Sequence, residues 1–116
     1  MGATASASAL LVNPTHIAIA LDHHPERAPI PVVAAKGKGP LAELMRATAV
    51  ENDVPIIRNI AAARRLYAAN EPGEMVPEEM FDTIAEIILW ARRAKAGDAP
   101  MEQEIGREPL AFEADD

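Results

Sequence analysis

The 116-residue chain has no cysteine, which excludes disulfides, thiolate nucleophiles and thiolate metal sites and fits a reducing compartment. Aromatic residues make up only 3% of a sequence that is 49% hydrophobic, so alanine and aliphatic side chains must fill the interior. No apolar run approaches the roughly 18 residues that a membrane-spanning helix needs. The opening "MGATASASA" lacks the basic n-region of a secretory signal, and reads instead as a truncated or engineered beginning. Basic residues are outnumbered 11 to 18, and no basic stripe with interleaved aromatics appears, which argues against nucleic acid as a partner.

The residues present suffice for one domain with one modest core. The net charge of −7 is unevenly spread. From Met101 onward, Glu102, Glu104, Glu108, Glu113, Asp115 and Asp116 face only Arg107, so most of the negative charge lies in the tail. Such a segment is expected to be solvated and disordered. The chain therefore divides into a leading segment 1–9, a folded domain 10–97 and an acidic tail 98–116.

Hydrophobic patterning predicts a small mixed central β-sheet of about four strands surrounded by helices, an α/β fold. "LLVNPTHIAIAL" (Leu10 to Leu21) reads as strand at both ends. After the polar turn "DHHPERAP", "IPVVAAK" (Ile30 to Lys36) is a second extended segment, and Pro40 suits the first turn of a helix over about 41–50. That helix is expected to place Leu41, Leu44, Met45 and Thr48 on one face. "VPIIR" is a further strand, and Asn59 is an N-cap for a helix over 60–69 with Leu66 and Tyr67 on its apolar side. A last helix starts near Pro77, places Ile84, Ile87, Ile88 and Ala91 on one face, and stops at Gly97.

The Asn-Pro pair inside the opening segment is the unusual feature, because proline has no N–H for a strand ladder. Asparagine can attack its own main chain: the side-chain amide nitrogen reaches its own carbonyl carbon, closes a succinimide and breaks the bond to the next residue. The competing cyclisation, which leads to deamidation, uses the N–H of the following residue, and Pro14 has none. Asn13-Pro14-Thr15-His16 also suits a β-turn with Asn13 at i and His16 at i+3. Thr15 is comfortable in a type I turn and strained in type II, where φ is positive. An imidazole, which titrates near pH 6.5 in model peptides, makes His16 a candidate base. The demand is that of a single-turnover self-processing event: cleavage in roughly ten minutes needs a barrier of about 21–22 kcal/mol.

"NPTH" flanked by "ALLV" and "IAIAL" resembles the cleavage site of the FlhB/YscU (SctU) family, the switch proteins of type III secretion export machines. "VPIIRNIAAARRLY" and "VPEEMFDTIAEIILWARR" are similar to later blocks of that family, so the likeness runs from about Leu10 to Ala96. The resemblance implies self-cleavage between Asn13 and Pro14, with Thr15 and His16 completing the site and the fragments staying associated. It implies no cofactor and no metal. It further implies a substrate-specificity switch whose partners are export substrates, other apparatus components and a needle- or hook-length regulator. The parent protein would be embedded in a bacterial inner membrane, with this domain in the cytoplasm. "NPTHIAIAL" looks more like the injectisome branch, associated with virulence, than the flagellar one. The family's membrane region and charged linker have no counterpart here, so residues 1–9 would replace or truncate that linker.

Other features have plainer readings. His23 and His24 with Asp22 and Glu26 suggest a metal, but a polar turn collects such residues. "GKGP" lacks the length and ending of a phosphate loop. Trp90 is expected in the core, and Arg64 and Arg65 on a solvated face that in the family picture would meet export partners. The alternative from another functional class is a non-catalytic adaptor domain in which Asn13-Pro14 is only a turn.

Overall fold

In the computed structural model, which describes residues 1–14 and 16–105, the segment from Leu10 to Leu21 is two strands. β1 (Ala9–Asn13) and β2 (Ile17–Asp22) pair antiparallel, from Ala9 with Leu21 to Asn13 with Ile17. Pro14, which cannot donate to a ladder, sits in the connection between them, where no ladder hydrogen bond is needed.

β3 (Val32–Lys38) continues the antiparallel pairing beside β2. The short β4 (Ile56–Arg58) lies parallel to β1 on its other edge, and β5 (Glu102–Glu104) lies parallel to β4. The sheet order is thus β3-β2-β1-β4-β5, with β1 in the centre. α1 (Gly2–Ala5), α2 (Pro40–Glu51), α3 (Ile60–Ala69) and α4 (Phe81–Lys95) complete the fold.

Side chains alternate across a strand, so neighbours in sequence enter different cores. Ala9, Leu11, Ile19, Leu21 and Ile57 pack with the α3 and α4 residues Leu66, Ile84, Ile87 and Ala91. Leu10, Val12, Ala18, Ala20 and Ile56 pack with Ala42, Met45 and Ala49 of α2. A strand covered on both faces needs apolar residues at every position, which accounts for the unbroken run "ALLV".

The helix boundaries follow the expected signals. Pro40 occupies the first turn of α2, and the Asn59 side chain accepts a hydrogen bond from the Ala62 N–H as the N-cap of α3. Gly97 follows α4 with φ of 86°, a conformation that favours glycine. Trp90 is buried in the core as expected, with its indole N–H donating to Gln103 Oε1 at 2.9 Å.

Two expectations are corrected. The mixed sheet and its helices are those expected, and among the described residues a fifth strand joins the sheet because residues 98–105 of the presumed tail fold back. β5 docks through its main chain, and Ile105 is buried while the side chains of 102–104 stay exposed, so a charged composition is compatible with an ordered strand. Residues 106–116, the rest of that tail, lie outside the described residues. The leading segment packs onto the domain: Thr4 and Ala7 are buried, and the Ser8 N–H donates to Leu21 O.

The second correction concerns α2, which buries Ala42, Met45, Thr48 and Ala49 while Leu41 and Leu44 stand 44% and 54% exposed. Gly37 contributes to this phase. A Cβ there would come within 2.7 Å of Leu41 Cγ and 2.8 Å of Met45 Sδ, so its absence lets the helix seat closely on β3. The two neighbouring residues therefore separate in a stability measurement. Met45→Ala is expected to cost about 2–5 kcal/mol as a core truncation, and Leu44→Ala to stay within about 0.5 kcal/mol, both read by urea unfolding.

Candidate functional site

The turn is built from the strand ends inward. Asn13 is the last residue of β1 and is buried at 8% exposure; Pro14 is half-buried and His16 is exposed. The His16 main-chain N–H donates to Asn13 O at 3.0 Å, the hydrogen bond that closes a four-residue turn. On the far side, the Gly39 N–H donates to His16 O at 3.0 Å and ties the turn to the start of α2. Gly39 has φ of 60°, a left-handed backbone that glycine adopts without steric cost. Thr15 lies outside the described residues.

The hydrogen bond to Asn13 O has a chemical consequence. The carbon of that carbonyl is the atom an attacking nitrogen would meet. As attack proceeds the oxygen gains negative charge, and a donor already aimed at it stabilises that charge without rearranging. Sequence reasoning assigned His16 only an imidazole role. The structure adds its main-chain N–H, which every residue but proline carries and which no sequence pattern marks.

The opposite flank is held as firmly. The Asn59 N–H donates to Val12 O at 3.2 Å, so the peptide group preceding Asn13 is fixed from β4's end. Beside the turn, Val12, Pro14, Arg46, Arg58 and Glu102 line an open cleft of about 640 Å³. Arg46 bridges it to Glu102 at 2.7 Å. Both side chains are about half exposed, so this ion pair contributes little.

The remaining candidates are placed elsewhere. His23 Nε2 lies 3.1 Å from Pro29 O, and its Nδ1 lies 3.0 Å from Arg92 Nη2, so its partners select the tautomer with the proton on Nε2. His24 pairs with Asp22 at 3.1 Å and approaches Glu26 at 3.7 Å. Arg64 and Arg65 are exposed on α3, and Arg65 lies 3.7 Å from Glu79. Gly37 and Lys38 extend β3 rather than forming a loop. An apolar groove of about 370 Å³ runs between the β2–β3 connection and α4, lined by Ile30, Pro31, Phe81, Ala85, Ile88 and Leu89 among others.

Comparison with known proteins gives one consistent answer. Residues 1–91 match the family model described as the FlhB HrpN YscU SpaS Family. The chain is 40% identical over 90 residues to the flagellar biosynthetic protein FlhB of Aquifex aeolicus (strain VF5), covering 78% of this chain and 26% of that protein. It is 38% identical over 96 residues to the hypersensitivity response secretion protein HrcU of Ralstonia nicotianae, covering 83% and 27%. The chain thus spans about a quarter of the length of these relatives, and flagellar and hypersensitivity-response members match it about equally well. Among solved structures, an EscU C-terminal domain with an asparagine-to-aspartate mutation superposes with a TM-score of 0.75 at 31% identity, covering 78% of this chain and 96% of that one. The cytoplasmic domain of FlhB from Shewanella putrefaciens gives 0.76 at 25% identity, covering 94% and 81%. Other EscU structures carry an asparagine-to-alanine or a proline-to-alanine mutation, at consecutive positions of that protein.

The engagement of His23 generates a prediction. A metal at this turn would have to displace a carbonyl from one ring nitrogen and a guanidinium from the other. Adding Zn²⁺ at one to two equivalents is expected to leave the melting temperature unchanged. A stabilisation that saturates at one ion per chain would show instead that the histidines are released to a metal.

Proposed function

The chain belongs to the FlhB HrpN YscU SpaS family, as its cytoplasmic C-terminal domain in the type III export apparatus, and on that premise we propose that it cuts itself between Asn13 and Pro14. The observation that carries the reading is the Asn13 carbonyl, which closes a main-chain hydrogen bond from His16 at 3.0 Å at the end of a strand paired on both edges.

Asn13 Nδ2 attacks the Asn13 carbonyl carbon, and the new C–N bond closes a succinimide. The carbonyl oxygen takes up negative charge against the His16 N–H. The bond to Pro14 then breaks; the proline nitrogen gains the proton that Nδ2 gives up, directly or through the His16 imidazole acting as base. Products are a succinimide at residue 13, later opened by water, and a free N-terminus at Pro14.

The cut does not release the leading fragment. β1 remains paired with β2 through five residue pairs and with β4 through three. Leu10 and Leu11 are fully buried in opposite cores, each worth about 1.5–3 kcal/mol. What changes is the connection itself: residues on either side of the cut become free to separate while the domain stays folded. This altered surface is the switch that selects which class of export substrate is accepted. Those substrates, other apparatus components and a length regulator are the partners, and the parent protein is anchored in the bacterial inner membrane.

Two sets of variants test the chemistry. Asn13→Ala is expected to leave the chain whole and folded; a Pro14 N-terminus from that variant would point to an external protease. Pro14→Ala restores an N–H that deamidation needs, so cleavage should slow strongly while part of Asn13 converts to Asp or iso-Asp, seen by peptide mapping. Unchanged kinetics would remove Pro14 from the mechanism.

The role of the imidazole is read from pH. With His16 as base, the neutral ring is the active form, so the cleavage rate rises with pH and then levels. His16→Ala keeps the main-chain N–H and is expected to slow the reaction by about 10²-fold without abolishing it, and Thr15→Ala by less. Identical pH profiles for both proteins, measured on freshly refolded samples, would assign the base to hydroxide.

A further inference from the structure

A residue with a buried polar side chain, 46 positions along the chain from Asn13, connects to the turn through its main chain. Asn59 is 7% exposed and lies between the end of β4 and the start of α3. Its Oδ1 accepts from the Ala62 N–H at 3.0 Å, the helix cap foreseen from sequence. Its Nδ2 donates to Ile105 O at 2.8 Å, across 46 residues of chain, a contact that capping does not require. Its main-chain N–H donates to Val12 O at 3.2 Å. Ile105 is itself buried and returns a hydrogen bond from its N–H to Arg58 O at 3.2 Å.

We propose that Asn59 is a positioning residue for the bond between Asn13 and Pro14, and that the segment ending at Ile105 braces it in that task. The inference rests on the self-cleavage reading above and adds a residue to it. Ring closure within one residue depends on how the two peptide groups flanking it are oriented. The group after Asn13 is held through His16, and the group before it through Asn59. With both planes fixed, the side-chain amide has few conformations to explore before it meets its own carbonyl carbon, which is the entropic part of the barrier. The 98–105 segment, which composition assigned to a solvated tail, is thereby a structural component of the site. Asn59 touches no reacting atom; it acts through the Val12 carbonyl.

Asn59→Asp separates positioning from capping. Aspartate caps a helix as well as asparagine does, but it cannot donate to the Ile105 carbonyl and sets a negative oxygen against it. Ile105→Ala provides the second variant: it leaves Asn59 and the cap intact and loosens the strand that holds them. Cleavage of the full chain would be followed by mass at a temperature where circular dichroism shows each variant fully folded. Both variants are expected to cut about tenfold more slowly than the unaltered chain, within the roughly 10²-fold that a misplacement of about 1 Å can cost. The pH dependence should keep its shape, since the base is untouched, and hydrogen exchange at the Asn59 amide should quicken. If Asn59→Asp fails to fold, Ile105→Ala decides alone. An unaltered chain that cuts, with folded variants keeping pace, overturns the positioning role and leaves the self-cleavage reading standing. An unaltered chain that never cuts removes both.

Discussion

Everything else in this domain depends on β1 being closed off on all four sides. Its two edges are hydrogen-bonded to β2 and β4, and its two faces lie under α2 and under α3 with α4. A strand in that position has no solvent-facing register, so a slip by one residue would exchange the two cores at once. The register that places Asn13 opposite Ile17 is therefore imposed by the packing of Leu10, Leu11 and Val12, and the turn inherits its geometry from them. This also explains how a chain break beside the strand is compatible with an intact fold. Nearly all the contacts that hold residues 9–13 are made to the rest of the sheet and its helices; covalent continuity through Pro14 adds little to them.

The same constraint shapes the chemistry. Intramolecular cyclisation is slow in a flexible peptide because few conformations bring the amide to the carbonyl. Here the flanking peptide groups are pinned by main-chain donors from His16 on one side and Asn59 on the other. In the proposed self-cleavage the fold would supply orientation and a donor to the developing oxyanion, while the Asn-Pro pair would supply the nucleophile and close the competing route. A barrier of about 21–22 kcal/mol asks for no more than that.

Much of this was legible from the sequence because it is written in local chemistry. The Asn59 cap, Pro40 in the first turn of α2, the glycine stop at Gly97 and the Ile84, Ile87, Ile88, Ala91 stripe each depend on neighbours within a few residues. The proposal that the tetrapeptide at 13–16 is a cleavage site rests on a family likeness, since an Asn-Pro turn alone is commonplace. What escaped is non-local. β5 is Glu-Gln-Glu, with no apolar alternation, and is recruited by main-chain pairing to β4. The close seating of α2 on Gly37, through Leu41 and Met45, joins two elements and is a contact that helical periodicity cannot register. The bond from Asn59 to Ile105 joins residues that only the folded sheet brings together.

The central claim is that the domain breaks its own chain after Asn13 and stays whole as a particle. The most direct measurement is the mass of one freshly folded, protease-free sample, taken under native and under denaturing conditions after incubation at neutral pH. The account predicts a native species near the full 12.4 kDa that separates on denaturation into residues 1–13 and a fragment beginning at Pro14. A sample that remains a single full-length chain under denaturing conditions, however long it is incubated, would contradict it.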